Sequence, residues 1–294
     1  MQYDIRVTIQ YSYPSPASSG RHLLRLMPRA LPGQQRVLSR TLEVTPAPVE
    51  QVNGFDFFGN ETAEVALASP HQESSFTVKA RVECLREGQG FDMSGTLPGL
   101  AGEIAAQPDL TPDAPHHFLG PSTRIPRHDG MAAYAREVAG AQTTVYDIVR
   151  ALGQRIHEDF AFNPQATDVD TPTEAAFEQR AGVCQDFAHV MITCLREIGI
   201  PAAYVSGFLR TIPPQNQPRL EGADAMHAWV RAWCGRQMGW VEYDPTNAVE
   251  AFNDHVVVAY GRDYADVAPV KGYMRSVGDH TTRQLVDVEP LENA

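Results

Sequence analysis

Cys184 has the residue type and the position of a thiol nucleophile. It follows a glycine-containing loop at 180–183 and precedes a helix whose apolar stripe runs through Phe187 and Leu195. A sulfur atom at a helix start lies among unpaired backbone N–H groups, and the helix dipole favours the thiolate that attacks carbonyl carbons. The same spacing also fits a cysteine that merely begins the buried stripe, so the helix pattern alone leaves both interpretations open.

His227 and Asp244 could complete a catalytic set with this thiol. Strands over 227–233 and 238–244, joined by a turn at 234–237, would pair position 233 with 238, 231 with 240, 229 with 242 and 227 with 244. In that register the two Cβ atoms lie about 5 Å apart, so Asp244 can accept the proton of His227 Nδ1 and direct Nε2 elsewhere, towards the thiol. A strand histidine is more often a hydrogen-bonded core residue, and Asp-Pro-Thr-Asn at 244–247 is also an ordinary turn.

The other candidate residues point to structural roles. His189 lies about 140° round the helix from Cys184, and Asp186 in the first helical turn is expected to cap the helix. Cys194 falls on the buried stripe, whereas Cys234 falls in the predicted turn and is expected to be exposed. No metal site is predicted, because the histidines of the linker-like sequence have no carboxylate or thiol ligand at a familiar spacing: His116, His117 and His128.

The first 86 residues predict a small antiparallel β-sandwich. Apolar residues alternate with polar ones from 3 to 11, and short runs of the same kind recur near 42–44, 55–57, 62–67 and 76–84. Cys84 continues the apolar row of the last run and is expected in the core. Residues 87–130 are rich in Gly, Pro, Asp and His, which predicts a linker with possible helical turns.

Residues 131–294 predict an α+β domain with C-terminal strands. Thr144 caps a helix whose apolar spacing continues to Ile156, and a second helix ends at Gly199. Strands are predicted over 203–209, 227–233, 239–244 and 255–260, and a final alternation at 285–288 is expected to return to that sheet.

Composition and charge narrow the class of protein. The 294 residues include 24 Lys and Arg against 36 Asp and Glu, a net charge of −12 that repels phosphate backbones, so no nucleic-acid partner is expected. No apolar run approaches the length of a membrane span, and the start lacks the order of a secretory signal, so neither membrane insertion nor export is expected. Four cysteines without a Cys-x-x-Cys pair fit a reducing cytoplasm.

Four blocks of sequence resemble the transglutaminase-like superfamily of papain-like thiol enzymes, specifically bacterial members with a β-rich N-terminal domain. They are Gly-Val-Cys-Gln-Asp-Phe-Ala-His at 182–189, Leu-Arg-Glu-Ile-Gly-Ile-Pro-Ala at 195–202, His-Ala-Trp-Val at 227–230 and Gly-Trp-Val-Glu-Tyr-Asp-Pro-Thr-Asn at 239–247. Residues 1–85 and 261–269 are similar to the same family. Where the family often has an aromatic-x-Tyr, this chain reads Phe-Ala-Phe at 160–162, so any role of a tyrosine hydroxyl there is lost.

The resemblance implies a papain-like core and a mechanism through an acyl-enzyme without a cofactor. It implies Cys184 as nucleophile, His227 as general acid and base, and Asp244 as the residue that orients His227. The expected function is thiol-dependent hydrolysis of amide or peptide bonds in a peptide or protein. Transfer of the acyl group to an amine would use the same residues, and a non-catalytic binding module on this fold would not need the thiol.

Overall fold

The amino-terminal strands form a curled antiparallel sheet together with the last two strands of the chain. The computed structural model describes residues 1–86, 88, 90–210 and 224–291, so positions 87 and 294, where the predicted linker begins and the predicted core ends, lie outside the described residues. The sheet contains β1 (Gln2–Leu24), β2 (Gln35–Thr45), β3 (Glu50–Phe55), β4 (Glu61–Leu67), β5 (His71–Cys84), β13 (Val270–Arg275) and β14 (Thr281–Leu291).

The long strand β1 connects the two halves of this sheet. From Gln2 to Ser12 it pairs with β5 on one side and with β14 on the other, and its last residues pair with β4 and β13. Register shifts between the two segments let the strand bend, which curls the sheet. Ile5 and Val7 are buried, as the alternation predicts.

The partner of the last strand differs from the one expected from sequence. The apolar alternation at 285–288 was expected to return to the sheet of the core, but Val286 and Val288 lie opposite Val7 and Ile5 of β1. Alternation identifies a strand with one buried face and carries no information about which sheet receives it. The end of the chain therefore completes the amino-terminal sheet, and the division at 86 and 130 stays a prediction.

The segment predicted as a linker contains more regular structure than isolated helical turns. It holds α1 (Leu97–Ala105), a short 3-10 helix (Pro115–Phe118) and the start of α2 (Asp129–Ala139). Leu100 and Ile104 are buried one helical turn apart, which explains why α1 forms in a sequence rich in Gly and Pro. His128 Nδ1 caps α2 by accepting the N–H of Met131.

The core domain combines helices with a second antiparallel sheet, as expected for an α+β fold. The sheet order is β11-β10-β9-β8-β12. The elements are α3 (Val145–Asp159), β6 (Ala161–Phe162), α4 (Thr173–Gln179), β7 (Ala181–Gly182), α5 (Cys184–Glu197), β8 (Ala202–Leu209), β9 (Ala225–Trp233), β10 (Trp240–Asp244), β11 (Val249–Glu250), β12 (His255–Gly261) and α6 (Tyr264–Val267).

Helix α5 lies at the centre of this domain. It packs against β8 and β9 on one side and against α2, α3 and α4 on the others, so all residues from Asp186 to Arg196 are buried. Each large apolar side chain buried along it contributes about 1.5–3 kcal/mol. Gly199, with φ +86°, ends the chain's helical path after α5 and permits the turn into β8. The helix start, where Cys184 lies, is therefore held by the whole domain.

Buried polar contacts join the amino-terminal sheet to the core. Gln35 Nε2 donates to Val257 O over 2.8 Å, and Asn60 Nδ2 donates to Tyr260 O over 2.7 Å. Both contacts reach β12, which is the edge strand of the core sheet among the described residues, so side chains bind backbone groups that a neighbouring strand would otherwise pair. Among the described residues, no helix has the length and apolar character needed to cross a membrane.

Candidate active site

The hairpin of β9 and β10 carries two of the predicted site residues. It pairs position 233 with 240 and 231 with 242, so the register is displaced by two residues from the predicted one. The displacement arises in the turn, where Cys234 N–H donates to Gly239 O and Gly239 N–H donates to Gly235 O, with both glycines at positive φ. Because a shift of two preserves the face of each side chain, His227 and Asp244 still lie on the same face of the hairpin.

His227 and Asp244 are joined by a buried hydrogen bond. His227 Nε2 donates to Asp244 Oδ2 over 2.7 Å, and neither side chain is more than one-tenth exposed. The prediction assigned this bond to Nδ1, and the structure corrects it. The displaced register puts the carboxylate diagonally across the hairpin, on the Nε2 side of the ring. Nδ1 is thereby the ring nitrogen that remains for the thiol.

Cys184 is the first residue of α5, its side chain is half-buried, and it lies near enough to His227 to help raise the pKa of that histidine. The N–H groups of Asp186 and Phe187 donate to Val183 O. Within the described parts of the chain this leaves the N–H groups of Cys184 and Gln185 without an acceptor at the helix start. The thiol therefore lies near a histidine, at a helix start that has free amide donors.

An aromatic cage fixes the loop that ends at the thiol. Arg180 adopts a left-handed conformation with φ +52°, between the end of α4 and β7. Its guanidinium carbon lies 4.0 Å from the ring centre of Phe177, 5.0 Å from that of Phe160 and 4.9 Å from that of Tyr134. The parallel pairing of β6 with β7 holds Ala181 and Gly182, which follow Arg180. The start of α5 at Cys184 therefore has a defined position.

The surroundings of His227 and Asp244 favour the charged form of both side chains. Burial opposes a charge on His227, but the hydrogen bonds and negative charges of Asp244 and Cys184 outweigh it and raise the pKa of His227 to about 10. Burial likewise opposes ionisation of Asp244, yet the hydrogen bonds from His227 and His255 hold the pKa of Asp244 well below its usual range. Asp244 is therefore a carboxylate and His227 an imidazolium at neutral pH.

His255, which the sequence analysis did not single out, also contacts Asp244. Its Nε2 donates to the same Oδ2 over 3.0 Å, and Asn247 Nδ2 donates to it over 2.7 Å. The ligand atoms of the two histidines and the aspartate lie within 4.8 Å of one another, a spacing that a metal ion could use. Here these groups satisfy each other by hydrogen bonds, so the arrangement fits a hydrogen-bonded cluster. No local signal reveals His255, because it comes from β12, two strands away from β9.

A second buried network, centred on Trp229, packs against the rings of His227 and His255. The Trp229 ring stacks on His227 at 6.1 Å between ring centres and meets His255 edge-on at 5.1 Å. Trp229 Nε1 donates to Glu242 Oε2 over 2.7 Å, and Glu242 is paired with Arg86 over 2.8 Å. Burial opposes ionisation of Glu242, but the Arg86 guanidinium outweighs it and lowers its pKa. The alternation of the two strands predicts that Trp229 and Glu242 share a face, whereas no sequence pattern points to Arg86.

Comparison with known proteins agrees with this architecture. Residues 132–245 match the model of the transglutaminase-like superfamily, and residues 3–83 match that of the bacterial transglutaminase-like N-terminal region. An uncharacterized protein of Mycobacterium tuberculosis is 32% identical over 296 aligned residues, which cover 99% of this chain and 93% of that protein. The chain belongs to the transglutaminase-like superfamily. The expected family and the expected α+β fold class are thereby confirmed.

Two further comparisons describe neighbours of this transglutaminase-like protein. A crystal structure described as "a Putative Cysteine Protease from Cytophaga hutchinsonii" superposes with a TM-score of 0.74 at 24% identity, covering all of this chain and 92% of the other, which shows a shared fold. A protein-glutamine gamma-glutamyltransferase of Pseudomonas aeruginosa is 36% identical over 143 residues, which are 45% of this chain and 21% of that protein.

The remaining thiols of this transglutaminase-like chain lie in apolar surroundings. Cys84 and Cys194 are buried as expected, whereas Cys234 was expected to be exposed and is fully buried. The turn of Cys234 folds back, as its hydrogen bond to Gly239 shows, and this closes it off from solvent. Burial raises the pKa of all three thiols. Only Cys184 therefore combines access with a histidine partner.

Two polar residues of α5 have the structural roles that the sequence predicts. Asp186 Oδ2 accepts the N–H of Val183 over 2.8 Å and so caps the helix start. His189 is buried, accepts the N–H of Tyr264, and has its pKa lowered to about 3, chiefly by burial. Neither contacts the Cys184 sulfur through a hydrogen bond, so neither belongs to the reacting set.

Proposed function

We propose that this protein is a thiol-dependent amide or peptide hydrolase that acts through Cys184, His227 and Asp244. One observation carries the proposal: His227, which is hydrogen-bonded to the buried carboxylate of Asp244, lies beside the Cys184 thiol at the start of α5. A nucleophile next to a base that is in turn oriented by a third group is the arrangement that nucleophilic catalysis requires.

The reaction begins with attack of the Cys184 thiolate on a substrate amide carbonyl. A bond forms between Sγ and the carbonyl carbon, and the carbonyl electron pair moves to oxygen. When this intermediate collapses, the C–N bond breaks and the imidazolium of His227 gives its Nδ1 proton to the leaving amine. Neutral His227 then takes a proton from water, whose oxygen attacks the thioester. The thiolate leaves, and the imidazolium and the charged pair are restored.

The helix start supplies donors for the oxygen that becomes negative. The N–H groups of Cys184 and Gln185 are free of acceptors in the described structure and lie at the positive end of the α5 dipole. Donors already oriented towards a developing oxyanion stabilise it without reorganisation. We assign these two amides to that task.

Water is the acceptor that we favour, and the half-buried position of Cys184 supports its access. Transfer to an amine is the second candidate, because the relative from Pseudomonas aeruginosa is a protein-glutamine gamma-glutamyltransferase. A binding module without catalysis would be expected to occlude the thiol, which this structure does not do. The substrate in either reaction is a peptide or protein.

Product analysis tests the proposal and separates the two reactions. Glutamine-containing peptides are incubated with the protein, with and without a primary amine, and the products are identified by mass spectrometry. Hydrolysis yields cleaved or deamidated peptides whether or not the amine is present, whereas transfer adds the mass of the amine. Cys184→Ala is the control and should abolish both products. Products that persist in this variant, or the absence of any product or thioester adduct, would refute the assignment.

We assign the activity to the cytoplasm. All four cysteines are free thiols, which fits a reducing compartment. Fractionation of cells that produce the protein at native level tests this, and recovery in an extracytoplasmic fraction would refute it.

A further inference from the structure

Asp244 Oδ2 accepts hydrogen bonds from two imidazole rings, although a catalytic set of three residues contains only one. His227 Nε2 lies 2.7 Å away, His255 Nε2 lies 3.0 Å away, and Asn247 Nδ2 adds a third donor at 2.7 Å. The other oxygen, Oδ1, accepts the N–H groups of Thr246 and Asn247. A carboxylate oxygen offers about two lone-pair sites, so three donors compete for the charge of Oδ2.

The surroundings of His255 hold its ring next to the Asp244 carboxylate. Its side chain is 5% exposed, and the edge of its ring meets the buried Trp229. Its ring centre lies 6.0 Å from that of His227, and both rings reach the same carboxylate oxygen from neighbouring positions. His255 is therefore fixed as a second imidazole donor to Asp244 Oδ2.

We propose that His255 is a positioning residue that limits how strongly Asp244 binds the His227 imidazolium. A donor that takes part of the carboxylate's charge weakens the bond of that carboxylate to the other donors. By doing so, His255 leaves His227 able to release its proton to the leaving amine. This catalytic consequence rests on the proposed function, whereas the effect on His227 is a property of the folded protein.

Other charged groups near the histidines are already paired and do not supply this effect. Cys184 of α5 and Asp244 of β10 face His227, and the residue opposite it on β8 is Gly207, which carries no charge. Glu242 of β10 is paired with Arg86, and Asp254, which precedes His255, is bonded to Arg210 and Tyr3. On α3, His157 reaches the turn after Asp244 only through the carbonyl of Thr246.

Histidine NMR measures the effect without a substrate. The full chain is labelled with 13C at histidine Cε1 in a Cys184→Ala background, which removes the thiol and its contribution to the pKa of His227. His255→Phe removes the donor while keeping a ring against Trp229, and His255→Leu does so with a smaller side chain. His255→Gln keeps a donor amide. His227→Gln assigns the His227 signal.

We expect the His227 titration midpoint to rise by about one pH unit in both donor-free variants and to stay near the parent value in His255→Gln. A midpoint that is unchanged or lower in the folded donor-free variants would overturn the proposal. A rise of equal size in His255→Gln would also overturn it, because packing and not donation would then be responsible. Because no turnover is measured, this result is independent of whether the protein hydrolyses amides.

Discussion

Asp244→Asn removes a carboxylate that only accepts hydrogen bonds. Its five donors are the side chains of His227, His255 and Asn247 and the N–H groups of Thr246 and Asn247. Asparagine has one accepting oxygen and one donating NH₂, so in either orientation the NH₂ faces at least two donors. A buried unsatisfied donor costs about 1–3 kcal/mol, so we expect the free energy of unfolding to fall by about 2–6 kcal/mol.

The same substitution changes the charge of His227. Burial opposes the imidazolium, and without the Asp244 carboxylate the pKa of His227 should fall from about 10 towards its ordinary value of 6.5 or lower. At pH 8, a group with a pKa of 10 is protonated in about 99% of molecules and one with a pKa of 6.5 in about 3%. The imidazolium population thus falls about thirtyfold, and with lost orientation we expect a decrease in kcat of about 10²–10⁴.

Alkylation by iodoacetamide at pH 8 measures this loss without a known substrate. Only the thiolate reacts, and an imidazolium beside a thiol favours the thiolate, so alkylation of Cys184 should be slower in Asp244→Asn than in the wild-type protein. Asp254→Asn changes a carboxylate that is 47% exposed and serves as the matched control. An unchanged rate in folded Asp244→Asn would refute the view that Asp244 maintains the charged pair.

Urea unfolding at two pH values provides a second check of the same variant. The pKa of His227 in the folded protein lies above its ordinary value, so its imidazolium stabilises the fold fully below pH 6.5. This contribution is lost as the pH rises towards about 10. The wild-type protein should therefore lose stability between pH 6.5 and 10, and Asp244→Asn should lose this part of the dependence.

Three further predictions follow from packing and burial. Gly207→Ala would place a Cβ 2.2 Å from the Val256 carbonyl oxygen and should unfold or severely destabilise the protein in thermal melts, whereas Gly102→Ala in α1 meets no atom and should stabilise it by up to about 1 kcal/mol. Glu242→Gln leaves the Arg86 charge buried and should lower the unfolding free energy by about 3–5 kcal/mol, and a loss below 1 kcal/mol would contradict this. Iodoacetamide should modify Cys184 in the native protein and the three buried thiols only after unfolding, as mapped by mass spectrometry.

The helix that carries Cys184 illustrates what local patterns predict well. Apolar spacing and Gly199 indicated α5 and its end, and the structure places α5 over Cys184–Glu197. Thr144 was likewise expected to begin a helix, and its hydroxyl accepts the N–H of Asp147 at the start of α3. These features depend on residues within four positions of each other, so the sequence contains the whole interaction.

The hairpin shows where such patterns reach their limit. Alternation correctly predicted that His227 and Asp244 share a face, because the side-chain period of a strand is two. It did not predict the register or the ring nitrogen that meets the carboxylate, because these depend on a turn closed by Gly235 and Gly239. A longer turn shifted the strands by two residues and left the face unchanged.

The sequence by itself determined α3, α5 and the four longer strands of the core sheet, the start of α5 at Cys184 and the shared face of His227 and Asp244. Only the tertiary structure decided that β14 pairs with β1, that Arg86 reaches Glu242 and that His255 binds Asp244. The physical reason is the separation along the chain of the residues that interact. Periodicity and capping act between neighbours in the chain, whereas these contacts join segments brought together by the packing of two sheets.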